Sequence, residues 1–520
     1  METTAKALAK DTSTHPAPHA ATHSEGHSAT HSETAPDSAT RGAQWLGMAA
    51  VLAAILMNLL DATIVNVAAP TIRAELGASY AQLQWIAAVY TLALAMGLLV
   101  GGRLGDMFGR RRMLLVGVTG FTLASLACAA ATSSEALIGA RAAQGLLGAL
   151  MVPQTFGLIR DLFPPQDIGK AFAALGPAIG LATILGPVVA GFLVDADLFG
   201  TGWRAVFGIN LPLGIFALAV GARFLPRVEP SARGMRLDAT GAVLAGLGML
   251  LLVYPLVQGR EHGWPAWIFG MAAVAVGLLA AFVAHQRRRV ASGGAPLVEL
   301  GVFRRRSYAS GVAFVVVFFG AIVGFSLAMG LFLQLGLGRT PVRASLTMAA
   351  WAIGAFLGSG FAAATMARLE RRILHLGLAV MTAGLTAVYA VIRADGTAVG
   401  GWNLSLPLLA YGFGMGMIFV PLFDVIMGEV QDHEVGSASG LLESVQQLAS
   451  ALGVAALGTV FFSTVGSAAT AGSFVAAIER VALIAVGLAI LAQALAFFLP
   501  QRARRQELQA EAAEYEAMPA

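Results

Sequence analysis

Charge is scarce in this chain: Asp, Glu, Lys and Arg supply 12% of its 520 residues, hydrophobic side chains supply 57%, and the mean hydropathy is +0.74. A soluble globular domain carries roughly 25% charged residues, so that class is excluded and a membrane protein is indicated. Cysteine is nearly absent. Cys128 stands alone in an apolar segment, which rules out a disulfide framework or a four-thiolate metal site within one chain and leaves packing as its default role. Lysine is confined to Lys6, Lys10 and Lys170, an Arg-for-Lys bias that fits a GC-rich bacterial genome. The arginines fall between hydrophobic runs and form no continuous basic face, so nucleic acid is set aside as a partner. The sequence also has no HExxH helix, GxSxG elbow or P-loop and no sizeable polar domain, which weighs against a membrane-embedded enzyme or receptor. No cofactor is expected. Residues 1–40 lack the apolar core of a cleavable signal peptide.

What the sequence has in abundance is long apolar runs. A helix needs about 20 apolar residues to cross a hydrocarbon layer roughly 30 Å thick. Fourteen runs qualify, near 46–69, 82–101, 113–131, 136–157, 169–193, 204–225, 237–257, 266–285, 309–336, 343–366, 373–393, 402–427, 437–463 and 477–499. With the amino terminus in the cytoplasm, 25 of the 33 Lys and Arg residues fall on the cytoplasmic side and seven outside, while Arg141 lies within a span. The positive-inside rule then places both termini in the cytoplasm, consistent with an even number of spans.

Three stretches carry motifs. "GGRLGDMFGRRRML" joins the second and third runs: Gly102, Gly105 and Gly109 permit a tight turn and close helix approach, Asp106 can accept hydrogen bonds, and Arg110, Arg111 and Arg112 anchor the turn. It reads either as an ordinary basic turn or as a latch between helical bundles. In the fifth run, "LGPAIGLATILGPVVAGFLVD", Gly176 and Gly180 present a small-residue face, Gly186 and Gly191 add further close-approach points, and Pro177 and Pro187 bend the helix. Tight packing alone would account for it. "RAAQGLLGALMVP" places Arg141 and Gln144 in the fourth run.

The first stretch resembles the cytoplasmic-loop signature of the major facilitator superfamily, with Met107 where a basic residue usually follows the aspartate. The second resembles the antiporter motif of exporters in that superfamily, with Ala190 replacing the first glycine of the closing pair. "LLDATIVNVAAPTI", "LQWIAAVYTLALA" and "GWRAVFGINLPLGIF" are similar to the drug:proton antiporter family with fourteen spans, apart from Ala69-Pro70 where Leu-Pro is usual. The resemblance covers residues 45–500 and implies an all-α integral membrane fold: two six-helix bundles and two additional central helices. The expected division is a disordered His-rich tail at 1–44, bundles at 45–228 and 291–500, the extra helices at 229–290, and a tail at 501–520. The implied function is export of amphipathic drugs, antibiotics or toxic metabolites by proton antiport through alternating access. The partners are then a small amphipathic molecule, protons and the bilayer, and the protein is expected to work as a monomer in a bacterial cytoplasmic membrane. Proton-coupled uptake is the alternative within transport, disfavoured by the fifth-run motif.

A charged side chain within a span costs at least ~2.5–3.5 kcal/mol on insertion scales. Asp61 is the foremost case. Asn58, Asp61 and Asn66 occupy one arc of about 140° on the first helix, which must face a cavity or another helix. Arg141 should lie within about 5 Å of Asp61 in depth, because the two helices run in opposite directions. A static ion pair is one reading. The resemblance implies the other, proton exchange at the first-span acid and at the arginine of the "RxxQG" motif. Burial opposes ionisation of a carboxyl and a neighbouring guanidinium favours it, so a change in their separation can load and release a proton. Glu443 shares a flank of the thirteenth run with Gln447 and is a candidate second proton site or substrate carboxylate, as is Asp424 near the end of the twelfth. Gln144, Asn58, Asn66 and Gln447 are pathway-lining candidates. Trp85, Tyr90, Phe314, Phe325, Trp351 and Met415 are mostly packing residues or anchors, a subset of which could line an apolar pocket.

His15, His19, His23, His27 and His31 recur at a spacing of four. On a helix they would form a ligand stripe, but Pro16, Pro18, Gly26 and the Ser/Thr content favour disorder, so no metal site is assigned. A chain lacking residues 1–40 is therefore expected to retain transport at normal surface expression; loss of transport with expression intact would make the histidines functional.

Overall fold

Within hydrocarbon each backbone N–H and C=O must find its partner inside the protein, and helices achieve this locally. A computed structural model describes residues 38–164, 167, 171, 186–197, 200–230, 237–427, 430, 435–466 and 469–499, and these residues contain helices and no strand. In chain order the helices are α1 (Ser38–Leu76), α2 (Tyr80–Phe108), α3 (Arg110–Ala129), α4 (Ser134–Leu162), the short α5 (Gly186–Ala196) and α6 (Gly202–Phe224). Then follow α7 (Ala239–Gln258), α8 (Ala266–Ala291), α9 (Arg306–Leu331), α10 (Pro341–Leu369), α11 (Arg372–Asp395), α12 (Gly401–Ile426), α13 (Val435–Val465) and α14 (Ala471–Ala496). Among the described residues thirteen of these are long and apolar enough to cross a membrane. The expected fifth span is seen only as α5; most of it, with Gly176, Pro177 and Gly180, lies outside the described residues, as do the histidine ladder, residues 1–37 and the tail at 501–520, whereas residues 38–44, expected in the disordered tail, already form the start of α1.

Local chemistry sets the helix starts. Ser79 and Gln82 form a reciprocal capping box before α2, Ser133 caps α4, Thr340 caps α10 with Pro341 in its first turn, and Thr470 and Ser473 cap α14. The first helix overruns its expected end at residue 69: it passes through Pro70 and stops at Leu76, before Gly77 with φ 64°. Buried Ala69 and Ile72 hold the segment against its neighbours, which offsets the hydrogen bond that the proline removes.

The helices pack as two six-helix groups with α7 and α8 between them in sequence. Two apolar clusters are drawn wholly from residues between Met48 and Leu225. In the second group α10 and α12 interlock through glycine: a Cβ on Gly412 would lie 1.9 Å from the Trp351 carbonyl oxygen, and one on Gly358 2.0 Å from that of Phe413. Backbone contact of this kind supplies the dispersion that drives helix association in lipid.

The groups meet along α2 and α13. Ser444 Oγ donates to the Ala95 carbonyl at 2.7 Å, and Gln84 Nε2 donates to the Ala455 carbonyl and to Thr459 Oγ1, each at 3.3 Å. The α7–α8 hairpin braces this seam. Thr459 Oγ1 in turn donates a hydrogen bond to the Leu256 carbonyl at 2.5 Å, and the Ala81 amide donates to Glu261 at 3.2 Å. At the other end of the hairpin, Gln286 Nε2 donates to Asp238 at 2.7 Å while its oxygen accepts from Leu297 N at 2.7 Å, and Arg103 donates to the Pro296 carbonyl at 2.9 Å. Burial works against the Asp238 charge, yet hydrogen bonds from Gly241 N, His285 and Gln286 hold its carboxyl below the ordinary carboxylate range. Gly412→Ala should lower stability by about 1–3 kcal/mol, the usual cost of overpacking, read as a lower melting temperature in detergent.

Candidate functional site

Five helices of the first group converge on one polar knot. Asp61 comes from α1, Tyr90 from α2, Ser125 and Cys128 from α3, Arg141 and Gln144 from α4, and Asn210 from α6. The pairs 125/128 and 141/144 are three apart, which turns both members to one face of their helix. In "RAAQG" the glycine serves approach: a Cβ on Gly145 would sit 2.3 Å from the Tyr90 carbonyl oxygen, so α4 can close on α2.

Arg141 Nη1 donates to Asp61 Oδ2 in an ion pair and to Gln144 Oε1 at 2.8 Å. Asp61 Oδ1 accepts from Gln144 Nε2 at 2.7 Å and from Asn210 Nδ2 at 3.1 Å. Ser125 Oγ accepts from Gln144 at 2.7 Å and from Asn210 at 2.9 Å, and Cys128 Sγ lies 3.6 Å from Gln144 Oε1. The guanidinium is covered by the Tyr90 ring, 4.3 Å from its centroid, a cation–π contact. Tyr90 in turn donates to Asn58 Oδ1 at 2.6 Å. Asp61, Gln144 and Asn210 are 0% exposed and Arg141 1%, so the two charges are neutralised by protein rather than by water. Within the knot two buried atoms have no hydrogen-bond partner among the described residues, Asn58 Nδ2 and Asn210 Oδ1.

The structure thus brings Asp61, Arg141, Gln144 and Asn58 together. Asn66 is half-buried beyond this knot, and its carbonyl faces Gly330 of α9. Glu443 and Gln447 lie on α13, joined by a 3.0 Å hydrogen bond, and among the described residues no hydrogen bond or ion pair connects them to Asp61. Asp424 falls within α12, close to its end. Sequence reasoning missed Asn210 as a partner of the acid, Ser125 as the acceptor for Gln144 and Asn210, and Tyr90 as the cover of Arg141. Asn210 sits in "GWRAVFGINLPLGIF", where an amide on an otherwise apolar segment is the signal that could have found it.

The α2–α3 turn is built as its residue types suggest. Gly109 has φ 93°, and a Cβ on Gly105 would overlap Gln154 Oε1 at 1.9 Å. Gly102 lies against Pro153 of α4. Arg110 reaches Asp161 of α4 at 3.3 Å and Asp106 at 3.9 Å, and Arg111 donates to the Ala222 carbonyl of α6. In α5, Gly186 and Pro187 open the described helix, Gly186 faces Thr63 of α1, and Gly191 meets Ser345 and the Pro341 carbonyl of α10. That contact joins the two groups, as does Asp195 accepting from Val342 N at 3.1 Å. Trp351, Phe325 and Tyr411 form an aromatic cluster in the second group, with Trp351 Nε1 3.3 Å from Met415 Sδ. Trp85 packs near Tyr254 of α7, and Phe314 stacks on Phe318. Among the described residues no group of His, Cys, Asp or Glu could hold a metal ion.

Paired helix groups, a braced seam and a charge pair sealed in one group define a multi-pass membrane transporter. The chain belongs to the Major Facilitator Superfamily, which it matches over residues 51–454. It is 47% identical over 429 residues to a Streptomyces coelicolor protein named "Probable actinorhodin transporter", covering 82% of this chain and 74% of that one. It is 33% identical to the tetracenomycin C resistance and export protein of Streptomyces glaucescens, covering 83% and 78%. With the puromycin resistance protein of Streptomyces alboniger it shares 35% identity, covering 80% and 82%. Among solved structures, an auto-inhibited peptide transporter of the POT family superposes with TM-score 0.63 at 16% identity, covering 87% of this chain and 95% of that one, which is a likeness of fold.

Removing one partner of a buried ion pair costs about 3–5 kcal/mol, because the other charge is left uncompensated. Asp61→Ala is therefore expected to destabilise the protein by that order, and the double variant Asp61→Ala/Arg141→Met to regain most of the loss. Thermal melts in detergent should show this coupling; additive losses would mean that the pair does not hold the helices.

Proposed function

We propose that the protein exports an amphipathic antibiotic or toxic metabolite from a bacterial cell in exchange for protons. The observation that carries this reading is the sealed Asp61–Arg141 pair in a chain whose relatives are named for antibiotic export and resistance. Asp61 is the proton carrier and Arg141 its switchable counter-ion. Once protonated, Asp61 changes from acceptor to donor, and Asn210, which already touches it, has an unpartnered oxygen to accept that proton. Arg141, released from the carboxylate, keeps Gln144, the Ile86 carbonyl and the Tyr90 face as partners, so its charge stays solvated by the protein. The knot then has two arrangements that differ by one proton, which is what coupling requires.

Alternating access is the motion that uses them. The bundles at 45–228 and 291–500 rock about the seam, with the extra helices at 229–290 moving as part of its brace. The α5–α10 contact belongs to the closed outer side, and the turn of Gly102, Gly105, Asp106, Gly109, Arg110 and Arg111 latches the cytoplasmic side. The antiporter motif is assigned to Gly176, Pro177, Gly180, Gly186, Pro187 and Gly191, of which α5 carries Gly186, Pro187 and Gly191. Glu443, with Gln447 beside it, and Asp424 supply a second carboxylate for a proton or a cationic substrate; Asn58, Asn66 and Gln144 belong to the N-terminal side of the pathway. Both termini lie in the cytoplasm, the protein acts as a monomer and not as an enzyme, and each inward proton supplies about 2.3 kcal/mol per 100 mV.

Two assays test this reading. In a pump-deficient bacterium the wild-type chain should raise the inhibitory concentration of its substrates, and Asp61→Asn should abolish the increase. In proteoliposomes with an imposed pH gradient, Asp61→Asn should lose proton-driven uphill flux entirely; flux like that of the wild type would overturn the assignment.

A further inference from the structure

A cavity of about 730 Å³ opens at the foot of α3, away from the Asp61 knot. Its rim carries Arg111, Arg112 and Arg227, and its wall continues along Leu115, Val116 and Leu123. Val116 is 46% exposed and Leu123 60%, so this wall lies on the outside of the helix bundle, where a membrane protein meets lipid. The rim is short of negative charge. Arg110 next door is paired with Asp161, whereas among the described residues Arg111, Arg112 and Arg227 form no ion pair, and the buried Nε of Arg111 has no hydrogen-bond partner. The amino terminus of α3 adds its positive dipole end at the same place, since Gly109 offers no side-chain cap.

Length and chemistry agree on an occupant. Twelve residues separate Arg111 from Leu123, about 18 Å along a helix, against roughly 15 Å for one leaflet of the hydrocarbon layer. The groove therefore starts at a cationic rim and runs one leaflet deep along apolar side chains. We propose that it binds an anionic phospholipid, with the phosphodiester and charged headgroup on Arg111, Arg112 and Arg227 and an acyl chain along Leu115, Val116 and Leu123. A free phosphate would use the rim and leave the apolar wall unused; a zwitterionic lipid would fill the wall without neutralising the rim. Phe108 and Gly109 also line the cavity, so the bound lipid touches the α2–α3 turn and steadies it.

The test is native mass spectrometry with parallel thermal melts on the full chain in detergent, using phosphatidylglycerol, phosphatidylcholine of the same acyl chains, and inorganic phosphate. Phosphatidylglycerol should remain bound and raise the melting temperature, while the other two should do neither. Arg111→Gln/Arg227→Gln should weaken phosphatidylglycerol binding by about 25-fold, on the scale of two surface charges. Should that variant not fold, Thr119→Trp, which fills the groove from an exposed position without changing charge, should displace the lipid instead. Equal retention of the two lipids, equal stabilisation by phosphate alone, or unaltered binding in both variants would overturn the proposal.

Discussion

A carboxylate and a guanidinium cannot stand alone in hydrocarbon, and the arrangement of α1, α2, α3, α4 and α6 follows from that constraint. Asp61 and Arg141 neutralise each other only where the two helices face at one depth, and the remaining lone pairs and protons must be met as well. Gln144, Asn210 and Ser125 meet them at 2.7–3.1 Å, and Tyr90 covers the cation. Each of these residues fixes a rotation of its helix. A buried pair of this kind contributes little net stability. What it contributes is register.

The constraint explains the division of labour between the helix groups. The first seals its buried charge pair in one polar cluster. The second is knit by glycine against backbone, as between α10 and α12, and by aromatic contacts among Phe325, Trp351 and Tyr411. Between them, the α2–α13 seam belongs to an apolar cluster that includes Leu83, Leu92, Ala449 and Ala455, and directed hydrogen bonds from Gln84 and Ser444 cross it. The α7–α8 hairpin spans this seam from Glu261 at one end to Gln286 at the other. The two helices beyond the twelve of the two groups are thus placed where relative motion would be felt.

Much of this was legible beforehand. Apolar runs gave thirteen of the spans near their observed limits because hydrocarbon thickness allows little choice, and Asp61 and Arg141 stood out because charge inside a span is costly. The neutral members of the knot were harder to see. Ser125, Tyr90 and Asn210 are neutral and cheap enough to occur anywhere in a span, and nearly uniform apolar helices carry no periodic signal to show which face turns inward. The expected span stopped at residue 69 with its apolar run, whereas packing around Ala69 and Ile72 carries α1 through Pro70 to Leu76.

By itself the sequence determined the membrane class, the number and approximate limits of the apolar runs, and the two charges that had to find each other, since these follow from transfer free energies summed along one chain. Tertiary structure decided which neutral side chains complete the Asp61 knot, which seam the extra hairpin braces, and where Arg111, Arg112 and Arg227 gather at the rim of an apolar groove. Those outcomes depend on rotations and contacts between segments up to some hundreds of residues apart, such as Gln84 with Ala455, and no local pattern encodes them.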